Sequence, residues 1–256
     1  MLNPRDFSGH NCFVVSFENA TPSERVAYAE YVKEHAEQQP SLIMVGVDDA
    51  NFIDHTDAHN LSEPVRDNET PYFWQYYFTV DVVKWSLKTI FDSAPKARYY
   101  DKDLAGRIRA DARTLPILRF KEVPGQKLHM SLTNVAEFAK FRAIFPKAHL
   151  VAFATPIASE RIRQYQQLGV LPHYLKALHA MAEHFDEMYD FSIPSQFTTD
   201  PKLTYDGSHY QPAVYDQIAK ALQSHEPSFG IKISGTSMAD TEAKYLSRLV
   251  LYRLGI

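Results

Sequence analysis

Two short apolar runs narrow what this chain can become more than any other feature: Leu42-Ile43-Met44-Val45-Gly46-Val47, and Leu150-Val151-Ala152-Phe153-Ala154 directly after His149. Neither alternates between apolar and polar residues, as a strand with one wet face would. A run of this length without alternation fits a strand buried on both faces, the environment of a parallel sheet covered by helices. Helical patterns lie between and after the two runs. The expected architecture is therefore α/β: three layers, with a mostly parallel sheet in the middle.

The surrounding elements follow the same logic. Cys12 to Phe17 is the first strand candidate. Thr21-Pro22-Ser23-Glu24 predicts a helix start, with Thr21 as N-cap, Pro22 at the first helical position and Glu24 closing a capping box. Asn134 with Glu137 predicts a cap for a helix running to Phe145. Helices are expected over Glu160 to Leu168, with Gly169 as C-cap, and over Pro172 to Phe185. Met188 to Phe191 reads as a short strand, and Pro212 opens a helix with Val214, Ile218, Ala221 and Leu222 on one face. The tail predicts a strand at Gly230 to Ser234 and a helix from Thr241 to Leu254. Residues 50–131 break this rhythm and read as an insertion over one end of the sheet, within a single domain spanning 1–256.

Composition removes several classes of function. Apolar residues are 45% of the 256, enough for a sizeable core, and the net charge of −4 carries no electrostatic footprint for nucleic acid. No stretch approaches the roughly 18 unbroken apolar residues of a membrane span. The segment Met1 to Asp6 has no apolar core of a secretory signal. A single cysteine, Cys12, excludes an intrachain disulfide and a cysteine-based metal site. No cofactor motif is present, and the compartment is left open.

The residues that carry chemistry are Asp206-Gly207-Ser208-His209, in a loop ahead of the helix that Pro212 opens. A histidine at the carboxyl edge of a parallel sheet can act as a general base, and a carboxylate three residues earlier can orient its ring. The plainer reading of D-x-x-H is an Asp turn beside a surface histidine. The wider segment, Leu203-Thr204-Tyr205-Asp206-Gly207-Ser208-His209-Tyr210-Gln211-Pro212, resembles the last conserved block of the SGNH (GDSL-like) hydrolases. It is most similar to bacterial cell-envelope members related to polysaccharide O-acetyl esterases and acetyltransferases. Val151 to Pro156 and Tyr189-Asp190-Phe191-Ser192 resemble the stretches that precede that block.

The resemblance implies a flavodoxin-like layering and ester chemistry on acylated, O-acetylated carbohydrate. It makes His209 the base and Asp206 its orienting carboxylate, with no cofactor. It also implies a cell-envelope or periplasmic setting if an anchor precedes the chain. The chain departs from the family in three places. The family's G-x-N-D block corresponds to Gly46-Val47-Asp48-Asp49, which puts Asp48 where an oxyanion-donating Asn belongs; an ionised carboxylate only accepts hydrogen bonds. The glycine expected after the second strand falls near Asn19-Ala20, where Asn19 could donate instead. No G-[DNT]-S nucleophile block occurs before Cys12, so the chain is either a truncated parent enzyme or a relative that lost its serine. Two alternatives stay open: an inactive domain that binds glycan or a partner protein, and a circularly permuted esterase using Ser237 of Gly235-Thr236-Ser237.

Other features have bland readings beside sharper ones. The eleven histidines include His179 and His184, five apart and thus off a common helical face. The run Tyr72 to Phe78 would anchor the insertion or stack on sugars. Arg98, Arg107, Arg109 and Arg113 would form a solvated helix face or hold an acidic polymer.

Overall fold

The computed structural model describes residues 20–53 and 130–252, with short stretches at 6–7, 83–84, 86–87, 98–100 and 106–108 and single positions at 2, 9 and 12. Residues 13–17 of the expected first strand, Asn19, Tyr72 to Phe78, Arg109 and Arg113 lie outside the described residues.

Helix α1 spans Pro22–His35 and starts as the sequence predicts. Thr21 Oγ1 accepts from the Glu24 N–H at 3.3 Å, and Glu24 Oε2 accepts from the Thr21 N–H at 2.8 Å. Strand β1 (Leu42–Val47) leads into a short 3-10 helix, Asp49–Phe52. Within the insertion, β2 (Arg98–Tyr100) and β3 (Gly106–Ile108) pair antiparallel. Arg98 and Arg107 therefore sit on strands, and the expected arginine helix face does not form there. The insertion's two ends meet, since Ile53 bridges to Met130.

Helix α2 (Leu132–Phe138) is capped by Ser131, whose Oγ accepts from the Thr133 N–H at 3.2 Å. Asn134 is not the cap. It lies inside the helix, and its Nδ2 donates to the Ile53 carbonyl at 2.7 Å. A tertiary partner has claimed the side chain that local pattern assigned to capping. The helix also stops at Ala139, and α3 (Lys140–Ile144) continues separately.

Strand β4 (His149–Ala154), α4 (Ser159–Gln167), α5 (Leu171–Ala182) and β5 (Glu187–Asp190) follow. Gly169 takes φ +70°, the left-handed conformation expected after α4. Then come α6 (Gln196–Thr199), α7 (Pro212–Ser224), β6 (Ile231–Lys232) and α8 (Met238–Leu251).

The sheet order is β1-β4-β5-β6. The first two pairings are parallel, and β6 runs antiparallel to β5. Strand β4 is central and buries alternate residues on opposite faces, which is why its sequence shows no polar alternation. Leu150, Ala152 and Ala154 join the larger core with residues of α1, α2, α4, α5 and α8. Val151 and Phe153 join a second core with Val214, Ile218 and Leu222 of α7. Helices thus cover both faces, and the fold is three-layer α/β/α with a mostly parallel sheet.

Candidate acid–base site at the carboxyl edge of the sheet

The loop between α6 and α7 carries Asp206 and His209, and its own backbone sets their geometry. Thr204 and Tyr210 form an antiparallel bridge, and the Tyr205 N–H donates to the His209 carbonyl at 2.7 Å. The turn inside this bridge is closed by side chains. Thr204 Oγ1 accepts from the Gly207 N–H at 2.8 Å. Asp206 Oδ1 accepts from the N–H groups of Ser208 at 3.0 Å and His209 at 2.8 Å. Gly207 takes φ +89°, a conformation that favours glycine at the tip of such a turn.

With one carboxylate oxygen occupied by the backbone, the other faces the imidazole. His209 Nδ1 lies 2.6 Å from Asp206 Oδ2. Burial pushes the Asp206 carboxyl up, but the hydrogen bonds from His209 and the two N–H groups outweigh it and hold it at about 2. The His209 side chain is 44% exposed, and its Nε2 has no hydrogen-bond partner among the described residues. One nitrogen is thus oriented by a carboxylate while the other faces outward, the arrangement a general base requires.

The turn sits where the strands end. The Gly207 carbonyl accepts from the Ala158 N–H at 2.8 Å, just ahead of α4 and beyond β4. Arg161 Nη1 donates to Ser208 Oγ at 3.1 Å and to both oxygens of Asp49, at 3.0 and 3.3 Å. Asp49 lies two residues past the end of β1 and is 5% exposed. Tyr165, one helical turn beyond Arg161, donates its hydroxyl to Asp49 Oδ2 at 2.5 Å. Burial and the adjoining Asp49 carboxylate push the Tyr165 hydroxyl far above its ordinary pKa, so it stays a donor. This places His209 at the carboxyl edge, where open α/β sheets bind ligands.

Asp48 is turned to a local task. Its Oδ1 accepts from the Asn51 N–H at 3.2 Å, and Asn51 Oδ1 accepts from the Asp48 N–H at 3.1 Å, which caps the 3-10 helix. Burial raises the Asp48 carboxyl, Arg25 pulls it back and neighbouring Asp49 raises it again. Asn51 Nδ2 reaches across to the Ala20 carbonyl at 3.1 Å.

Ser237 is not brought to His209. Strand β6 pairs Ile231 with Asp190 and Lys232 with Tyr189, so the chain beyond it passes the amino end of β5. The Ile233 N–H donates to the Met188 carbonyl at 2.8 Å, and Ser237 then caps α8 through the Asp240 N–H at 3.1 Å. Ser237 and His209 lie at opposite ends of the sheet. His179 Nε2 lies 2.9 Å from Thr241 Oγ1 and ties α5 to α8. Among the described residues, no group of three His, Cys, Asp or Glu is placed to hold a metal ion.

Sequence reading missed Arg161, Tyr165 and Asn51. The signal for the first two was present: positions i and i+4 on a helix that opens just after a buried strand, one face of which must meet the strand ends. Compared with protein-family models, with curated proteins and with solved structures, the chain matches none.

Proposed function

We propose that this domain supplies the Asp/His half of an acyl-transfer site acting on ester groups. The observation that carries the reading is the 2.6 Å hydrogen bond between Asp206 and His209, in a turn anchored at the carboxyl edge of a parallel sheet. The likeness of the segment Leu203 to Pro212 to the last block of the SGNH hydrolases supports it. In this reading His209 Nε2 takes the proton of an attacking hydroxyl as the hydroxyl oxygen bonds to the ester carbonyl carbon. It then returns that proton to the departing alkoxide as the tetrahedral intermediate collapses. Asp206 keeps the ring oriented and stabilises its charged form. The substrate class is O-acetylated cell-surface carbohydrate, with water as acceptor in an esterase and a sugar hydroxyl in a transferase.

The second reading is a non-catalytic domain that binds glycan or a partner protein at the same edge. Asp48 favours it, because its carboxylate is committed to a cap and stands where the family uses an amide donor. Hydrolysis of 4-nitrophenyl acetate by the protein and its His209→Ala variant decides between them. A rate at least about a hundredfold above the variant's supports the base. Equal rates remove His209 from catalysis.

A further inference from the structure

We infer that Arg161 is the positioning residue of this site: through Ser208 it fastens the Asp206–His209 turn to the buried Asp49 at the end of β1. The functional meaning of this inference rests on the reading of His209 as a base; the fastening itself does not.

The argument starts from how the turn is held. The hydrogen bonds inside it, from Thr204 to Gly207 and from Ser208 and His209 to Asp206, fix its shape but not its place. Among the described residues, two hydrogen bonds join positions 204–209 to the strand ends. One is the Ala158 N–H to the Gly207 carbonyl. The other is Arg161 Nη1 to Ser208 Oγ. The Thr204–Tyr210 bridge holds the stem, with Tyr210 buried, and a tip held beyond it at one carbonyl can still swing about that bond. A second attachment, at the residue next to His209, removes the swing.

Arg161 suits this task for two reasons. Its own position is set by both oxygens of Asp49, which Tyr165 holds in turn. Its side chain is only 13% exposed, so competing water is scarce. The line from β1 through Asp49, Arg161 and Ser208 to His209 is continuous. Misplacing a catalytic group by about 1 Å can cost about a hundredfold in rate.

Removing Arg161 would leave Asp49 buried without its counter-charge and could unfold the protein, so the cleaner changes are at Ser208. Ser208→Ala deletes the attachment and keeps the Asp49–Arg161 pair, while Ser208→Thr keeps the hydroxyl. In the full chain, proton–nitrogen NMR relaxation reads how far the backbone of residues 206–209 swings. In Ser208→Ala their order parameters should fall from about 0.85, the value of rigid backbone, to below about 0.6, with Ser208→Thr matching the parent. Where the parent hydrolyses 4-nitrophenyl acetate, kcat should fall about tenfold in Ser208→Ala with KM unchanged. Unchanged order parameters in Ser208→Ala overturn the inference, as does an equal fall in both variants. Order parameters that fall as expected in a protein without esterase activity keep Arg161 as the fastener and remove the acyl-transfer reading instead.

Discussion

Tyr245 of α8 donates its hydroxyl to Asp190 Oδ2 at 2.6 Å, and Asp190 has no solvent exposure at all. Its other oxygen accepts from the Ser192 N–H at 2.8 Å and from Ser192 Oγ at 2.6 Å. Tyr174 of α5 donates to the same Ser192 Oγ at 2.8 Å. The end of β5 is thereby bound to two helices by one polar network. Burial raises the Asp190 carboxyl, and the Ser192 and Tyr245 hydrogen bonds oppose it. Tyr245→Phe leaves a buried oxygen short of a donor and should cost about 1–3 kcal/mol. Urea denaturation measures it, and a midpoint equal to the parent's would mean that Ser192 alone satisfies the carboxylate.

Asp206 should give the protein an acid-sensitive stability increment. Its carboxyl is held at about 2 in the fold, below the ordinary carboxylate value near 3.9. A lowered carboxyl favours the fold while it is ionised. The increment is therefore fully present above about pH 4 and is lost as pH falls toward about 2. Glu187, held at about 2 by Lys232, His225 and Tyr189 against the opposing push of burial, adds a similar limb of its own. The difference between the parent and Asp206→Asn isolates the first. That difference in urea midpoint should shrink between about pH 4 and 2.

Breaking the Asp49–Arg161 pair should be among the more damaging single changes near the site. The pair is nearly buried, so either Arg161→Ala or Asp49→Ala leaves a charge without its partner, at a cost of about 3–5 kcal/mol. The double variant Asp49→Leu with Arg161→Met should cost well under the sum of the single changes, because it removes both charges together. Denaturation of the four proteins forms the cycle; strict additivity would mean that the two side chains are not energetically coupled.

Tyr210 should tolerate the loss of its hydroxyl. The residue is 3% exposed within the second core, and its Oη has no hydrogen-bond partner among the described residues. Burial pushes that hydroxyl far above its ordinary pKa, so it stays neutral. A buried polar atom without a partner contributes a desolvation cost and nothing in return. Tyr210→Phe should therefore leave the melting temperature unchanged or raise it. A loss above about 1 kcal/mol would reveal a partner for the hydroxyl in solution.

Much of the frame was legible in the sequence because its signals are local. The capping box at Thr21 and Glu24, the unbroken runs of β1 and β4, and the glycine after α4 each depend on residues a few positions apart. The Asp206 turn is also local, since every bond that shapes it lies between residues 204 and 210. Pattern failed where a side chain answered to a distant partner. Asn134 looks like a cap and bonds Ile53, 81 residues away. Ser237 has the local form of a nucleophile block and lies beyond the wrong end of β5, because β6 runs antiparallel.

The amino-acid sequence alone determined the runs of β1 and β4, the start of α1 and the close of α4, that the sheet is covered on both faces, and that residue 206 can reach residue 209. Those outcomes follow from backbone sterics, apolar periodicity and hydrogen bonds closed within a few residues. Only the tertiary structure decided that Arg161, Asp49, Tyr165 and Ser208 converge beside that turn. Asp49 lies 112 residues from Arg161 and 116 from Tyr165, and no local rule couples such positions. What brings them together is the shared carboxyl edge of two parallel strands, which exists only once β1 and β4 have paired.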